Sequence, residues 1–163
     1  RRETLARRNL EIIRHNLDSN RDMILADPIQ IKQVLINLAS NAGYAMRKKS
    51  GLLNILISRT ILSAKEASKI SPDLARGSYI QVVVRDTGEG MTEEVRKRIF
   101  EPFFTTKRKE EGSGMGLAVV HGIIKGHQGA ITVKSRPGKG STFTILLPVF
   151  EEGTASEGPA PGT

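Results

Sequence analysis

The sequence predicts a two-layer α/β (α+β) sandwich, with one mixed, largely antiparallel sheet and its helices on one face. Three observations predict it. Apolar stretches alternate between strand and helix periods in the order ββα, ββα, loop, αββ. The chain has 163 residues, enough for one domain with its own core and too few for two ordinary ones. A hydrophobic fraction of 38%, with 16 glycines besides, excludes a disordered chain and a collagen.

The elements follow in order. Residues 1–9 are polar and basic and read as the end of a connecting helix. Residues 10–17 read as a strand, Asp18-Ser19-Asn20 as a turn, and Met23-Ile24-Leu25 as a short second strand. The clearest helix start follows. Asp27 caps it, Pro28 suits the first helical position, and Gln30 sits three after the cap as in a capping box. Ile31, Val34, Leu35, Leu38, Ala42, Ala45 and Met46 form its apolar stripe, and the helix is expected to end near 48–50, before Gly51.

Residues 52–60 read as a strand, polar 63–77 as an inserted loop, and 79–85 as a β-branched strand. Thr92 caps a short helix to about Ile99, and 103–113, charged and then glycine-rich, reads as a mobile loop. An apolar helix over 115–125 is stopped by Gly126. Strands over 130–135 and 141–149 are joined at Pro137-Gly138-Lys139-Gly140. Residues 151–163 have the composition of a tail or linker, which leaves 10–150 as the domain. Arg1-Arg2-Glu3-Thr4 carries neither an initiator Met nor a signal-peptide pattern, so a piece of a longer protein is expected.

The net charge is +8, and the acidic end, Glu151 to Thr163, has three acids and no base. A basic surface fits nucleic acid, acidic lipid or a polyphosphate ligand. Aromatics at 4% with no Trp make stacking platforms for single strands scarce, so no direct nucleic-acid partner is expected. The absence of Cys excludes disulfides and thiolate metal sites and fits a reducing compartment; a cytoplasmic domain is expected. No apolar run approaches the ~18 residues of a membrane span.

Three features carry chemistry. At 100° per residue Asn41 falls about 20° beyond Val34, at the edge of the apolar stripe, and Asn37 about 60° beyond on the same side. Two amides one turn apart beside a buried stripe are either helix-edge groups bonded to backbone or oxygen ligands for a hard cation such as Mg²⁺. Asp86-Thr87-Gly88-Glu89-Gly90 sets one carboxylate where a strand ends and follows it with glycines that permit close backbone approach. Gly112-Ser113-Gly114-Met115-Gly116-Leu117 opens a helix, where exposed N–H groups receive an anion. It is not a P-loop, because Lys139 is followed by Gly140, and not a dinucleotide fingerprint, because position 119 is Val119. His15, His121 and His127 lack metal-ligand spacing and read as structural.

Taken together and in this order, these segments resemble the ATP-binding catalytic domain of bacterial sensor histidine kinases, within the Bergerat-fold ATPase family that includes gyrase and MutL. The asparagine box resembles Asp27 to Met46, with Asn37-Leu38-Ala39-Ser40-Asn41-Ala42 at its centre. The glycine boxes resemble Asp86 to Met91, Gly112 to Leu117 and Gly138 to Phe143. The phenylalanine box resembles Ile99 to Lys107. The likeness spans about residues 10 to 149.

The resemblance implies two cofactors, ATP and Mg²⁺. It gives Asn41 the metal, with Asn37 assisting, and Asp86 the adenine amino group. Gly88 and Gly90 would admit the base, and Thr142 would contact its edge. Residues 103–113 would form a lid over the phosphates. Gly114 and Gly116 would present backbone donors, and Lys107 would add charge. Met91, Ile99, Phe104, Thr105, Thr106, Gly112, Met115 and Leu117 complete the implied ATP site. The implied partners are a histidine-bearing dimerisation domain of the same full-length protein, which would be a homodimer, and a response-regulator receiver domain.

Two positions depart from the family. Where many such kinases carry Lys and Tyr after the second Asn, this chain has Tyr44 and Ala45. ATP-hydrolysing relatives and anti-sigma-factor serine kinases carry a Glu base where this chain has Asn37. An amide takes no proton at neutral pH, whereas a neutral imidazole nucleophile needs little such help. The histidine-kinase expectation is therefore preferred over those relatives and over a basic, non-enzymatic binding module.

Overall fold

The computed structural model describes residues 8–15, 17–18, 20–107 and 115–151, without the side chains of Arg8 and Asn9. Five strands form one sheet in the order β1-β2-β3-β5-β4. They are β1 (Arg8–His15), β2 (Gly51–Leu62), β3 (Gly77–Asp86), β4 (Ala130–Ser135) and β5 (Ser141–Pro148). Only β1 with β2 is parallel; the other pairs are antiparallel, as the sequence predicts.

Four helices join them: α1 (Pro28–Ala45), α2 (Ala64–Ile70), α3 (Glu93–Arg98) and α4 (Gly116–Gly126). Register fixes which side chains share a face. Val84 lies opposite Phe143, and Asp86 opposite Ser141. Strand residues alternate, so Val84 and Asp86 of β3 share the helix-facing side with Ser141, Phe143, Ile145 and Leu147 of β5. There they meet Val34 and Leu38 of α1 and Val120 and Ile124 of α4 in the main core. Burying these side chains removes roughly 1.5–3 kcal/mol each of unfavourable exposure and seats α1 beside α4.

The caps explain where the helices begin. The Asp27 carboxylate accepts from the Ile29 amide at 2.9 Å, with Pro28 at the first helical position. The bond goes to the second helical residue and not to Gln30 at the third, and Gln30 makes no reciprocal bond among the described residues, so Asp27 is a simple N-cap and the predicted capping box is not made. The Thr92 hydroxyl accepts from the Val95 amide at the head of α3. α1 stops at Ala45, short of the expected end, because Met46 turns inward to 5% exposure. Gly51 packs against it so closely that a Cβ there would lie 2.3 Å from the Met46 sulfur.

Two expectations fail. Met23 to Leu25 is not a strand: only Ile24 bridges, to Val149, with the Phe150 amide donating to the Met23 carbonyl at 2.7 Å. Residues 63–77 are not a plain loop. The Ser63 hydroxyl accepts from the Glu66 amide at 3.1 Å and donates to the Glu66 carboxylate at 3.1 Å, an N-cap with the Ser-x-x-Glu pattern that starts α2. Fully buried Ala67 carries α2 under Leu62, Tyr79 and Leu146, which alternation places on the sheet face opposite α1 and α4. The two-layer sandwich therefore gains a small cover at one end of its outer face. At the N-terminal side, Arg8 and Asn9, expected to close a connecting helix, are instead the first residues of β1, which ends at His15; the rest of the expected helix, 1–7, lies outside the described residues.

Candidate functional site

A cleft of about 470 Å³ opens between the pocket-side flank of α1, the first residues of α4 and the adjoining ends of β3 and β5. That volume falls within the ~300–1,000 Å³ of small-molecule sites. Asp86, the last residue of β3, lines it at 4% exposure. Its Oδ1 accepts from the amides of Gly88 at 2.9 Å and Ser141 at 3.3 Å, while Oδ2 accepts from no described residue. Burial pushes the carboxyl above the ordinary carboxylate range, and the two backbone donors pull part of the way back. A buried carboxylate with one pinned oxygen and one spare is an acceptor in search of a donor.

The glycines beside it serve backbone packing. A Cβ on Gly88 would lie 2.6 Å from that of Ala45, so Gly88 lets the strand-end turn lie against the last turn of α1. Gly88 itself is not in the cleft wall, whereas Gly90 is. Gly90 and Gly140 have φ of 68° and 77°, and a Cβ at either would lie within about 2 Å of a carbonyl oxygen, Arg136 or Asp86 respectively.

Asn37 and Asn41 both line the cleft, as projected. The Asn37 amide nitrogen donates to the Gly116 carbonyl at 3.1 Å, and its oxygen accepts from Gln33 at 2.8 Å. Both ends of that amide are engaged in protein bonds. No described residue hydrogen-bonds the Asn41 side chain, which leaves its carbonyl oxygen available to a ligand in the cleft. The described residues contain no group of three or more acids or histidines able to hold a metal alone.

Met91, Ile99, Phe104, Thr105, Thr106, Lys107, Gly116 and Leu117 also line the cleft. Met115 stands at the N-cap of α4 outside the lining. Gly112 and Gly114, and most of the expected lid, lie outside the described residues.

Thr142 is a correction. It lies on the sheet face opposite α1 and α4 and borders a separate surface depression with Arg96, Lys134, Arg136 and Lys139. One residue earlier, Ser141 turns into the cleft. Period-two alternation forces this, because Phe143, Ile145 and Leu147 occupy the core face and Ser141 shares their parity. That signal was present in the sequence.

Tyr44, which the sequence reading left out of the site, also lines the cleft. The Arg47 guanidinium stands 3.9 Å and the Lys107 ammonium 4.8 Å from its ring centroid. Two of the three histidines make contacts within the fold. His127 bonds the Ile123 carbonyl through Nδ1 and accepts the Asp27 amide at Nε2. His121 lies 5.2 Å from the Phe100 ring, and burial lowers its pKa.

The comparisons with known proteins agree with this geometry. Residues 26–151 match the family described as histidine kinase-, DNA gyrase B-, and HSP90-like ATPase. The chain is 42% identical over 161 residues to the sensor kinase CckA of Brucella abortus, covering 97% of this chain and 17% of that protein. It is 40% identical over 126 residues to the sensor histidine kinase ZraS of Escherichia coli, covering 77% of this chain and 23% of that one. The chain thus spans about a fifth of the length of these relatives. A nucleotide-free structure of the catalytic domain of the histidine kinase ThkA superposes with a TM-score of 0.66 at 30% identity, covering 90% of this chain and 81% of that one. The cleft, the order of its segments and these similarities lead to one conclusion: the chain belongs to the histidine kinase-, DNA gyrase B- and HSP90-like ATPase family.

Proposed function

We infer that this domain binds Mg-ATP and donates the γ-phosphoryl group to a histidine on a separate dimerisation domain of a two-component sensor kinase. The observation that carries the reading is a single cleft with Asp86 and its spare carboxylate oxygen, the Asn41 carbonyl, and the N-terminus of α4 in its wall. Asp86 Oδ2 accepts from the adenine amino group, which guanine lacks at that place. Asn41 supplies one oxygen to Mg²⁺. A single neutral oxygen fits this ion, which keeps several waters and takes the rest of its ligands from phosphates. Asn41 would hold the ion there, and Mg²⁺ would supply charge neutralisation to the phosphate chain. The backbone donors opening α4 face the same anion.

Asn37 decides between chemistries. Its amide ties α1 to α4 and has no basic site with which to activate water. A neutral imidazole nitrogen attacks γ-phosphorus directly. A nitrogen–phosphorus bond forms, the β,γ-bridging oxygen leaves on ADP, and the imidazole N–H proton passes to solvent. That choice favours kinase over hydrolase. The full-length protein is then a homodimer through its dimerisation domain, with a receiver domain as downstream partner and no direct nucleic-acid contact. Among the described residues no helix is long and apolar enough to cross a membrane. We place the domain on the cytoplasmic side.

The test incubates the chain with γ-labelled ATP, alone and with the cognate dimerisation domain. The expected result is slow phosphate release and no self-labelling alone, and an acid-labile, base-stable label on the partner. Rapid phosphate release by the chain alone, or stable labelling of a serine, overturns the reading.

A further inference from the structure

Ser135, the last residue of β4, stands behind the cleft wall and is not part of it. Its oxygen accepts from the Met91 amide at 2.8 Å, lies 2.8 Å from the Ser141 hydroxyl and lies 3.0 Å from the Gly140 carbonyl. A serine hydroxyl has one proton to give and two lone pairs to receive with. The carbonyl of buried Gly140 only accepts, and no other described residue donates to it, so the Ser135 proton goes there. Sending that proton to Ser141 instead would leave a buried carbonyl desolvated and without a partner. The Met91 amide takes one lone pair of Ser135. The other is left for Ser141, whose hydroxyl is therefore the donor within the serine pair.

The direction of that one proton matters in the cleft. Ser141 lines the wall beside Asp86, and its amide donates to Asp86 Oδ1 at 3.3 Å. With its proton turned toward Ser135, the Ser141 oxygen offers a ligand only lone pairs. Asp86 Oδ2 accepts from no described residue. Two neighbouring acceptors, and no hydroxyl donor, then face this end of the cleft. Such a pair suits an exocyclic amino group, which has two hydrogens to give, and opposes a carbonyl in the same place.

On the nucleotide reading of this cleft, we propose that Ser135 is a positioning residue that holds Ser141 as a fixed acceptor, so that the base end of the cleft selects a 6-amino purine over a 6-oxo purine. Ser135 does not touch the base. It acts through the Ser141 hydroxyl, and its own bonds to Met91 and Gly140 are what leave it no other role in the pair.

The test is calorimetric titration of the chain with Mg-ATP and Mg-ITP, whose base carries a 6-oxo group in place of the amine, beside thermal melts. Ser135→Ala frees the Ser141 hydroxyl to turn and donate, and is expected to narrow the preference for ATP over ITP by about threefold or more. Ser135→Thr keeps a hydroxyl and is expected to keep the preference. Ser141→Ala removes the acceptor and is expected to narrow the preference as well; adding Ser135→Ala to it is expected to change the preference no further. A Ser135→Ala variant that weakens both nucleotides equally has lost only packing, and overturns the proposal while the nucleotide reading stands. A Ser135→Thr variant that loses the preference as Ser135→Ala does, or an unchanged preference in Ser141→Ala, overturns it too. The Ser141→Ala measurement decides the matter if Ser135→Ala does not fold. A wild-type chain that binds neither nucleotide overturns the nucleotide reading, and this proposal with it.

Discussion

The side-chain nitrogen of Asn37 in α1 donates to the carbonyl of Gly116, the first residue of α4, across 3.1 Å. The bond sets the separation of the two helices where the cleft opens between them. It also occupies an amide whose place in ATP-hydrolysing relatives is taken by a base. Asn37→Ala removes both the bond and the brace on α4. It is expected to cost about 1 kcal/mol of stability in urea unfolding and to weaken Mg-ATP binding. A variant with an unchanged midpoint and unchanged affinity contradicts the role.

Asp86→Asn tests the base-recognition end. The amide nitrogen of Asn presents a donor where an acceptor is needed, and the charged hydrogen bond it loses contributes about 1.5–3 kcal/mol. Adenine-nucleotide affinity is expected to fall by roughly ten- to a hundredfold with the fold retained. Calorimetry and circular dichroism read the two parts separately. Native-like binding by Asp86→Asn refutes the assignment.

The same carboxyl makes stability depend on pH with a definite sign. Burial raises the folded-state pKa of Asp86 above the ordinary 3.8. Between the unfolded and folded values the folded state binds more protons, so stability falls as pH rises through that window. At neutral pH the ionised, buried group is a net cost, and Asp86→Asn is expected to melt no lower than wild type there. Nucleotide binding runs the other way. Acceptance from the adenine amine needs the carboxylate, so affinity is expected to fall as pH drops through the raised pKa. Calorimetric affinities across that range that show no such fall contradict the carboxylate's role.

Ser141 and Thr142 are neighbours with opposite expectations. Ser141 lines the cleft, and its hydroxyl meets that of Ser135 at 2.8 Å. Ser135 in turn bonds the Met91 amide and the Gly140 carbonyl, so the pair fixes both backbone strands beside Asp86. Ser141→Val is expected to weaken adenine-nucleotide binding at least about threefold, the scale of one lost neutral hydrogen bond. Thr142→Val points away from the cleft and is expected to leave it unchanged. The reverse pattern in a titration restores the original assignment to Thr142.

Gly140→Ala probes the close approach of the β4–β5 hairpin to Asp86. The positive φ and a Cβ about 2 Å from the Asp86 carbonyl oxygen together demand a backbone shift. A loss of about 1–3 kcal/mol is expected in urea unfolding, accompanied by weakened nucleotide binding. Gly122→Ala is the control, because nothing lies within 4 Å of a Cβ there and the residue is within α4. Its expected effect is neutral to stabilising.

The sequence by itself determined the kinds of element and much of the site. Asp27-Pro28 announces α1, the 3.6-residue stripe gives its buried face, and the strand period gives β3 and β5. It also placed Asn37, Asn41 and Asp86, because each is marked locally, by a helix edge or a strand end. The box Ser63-x-x-Glu66 is equally local, but its helix has only seven residues, and its apolar stripe of Ala64, Ala67 and Ile70 is too short to stand out as a period. What only the tertiary structure decided is which face of each element matters. The parity of β5 separates Ser141 from Thr142, yet which parity meets a ligand depends on α1 and α4 both covering one side of the sheet. Those choices are made by contacts between distant residues. Asp86 and Ser141 are 55 positions apart, and Asn37 and Gly116 are 79 apart. The seating of Lys107 against Tyr44 is of the same kind. A local period records where apolar side chains point; it holds no information about which distant segment arrives to meet them, and burial of the shared core settles that.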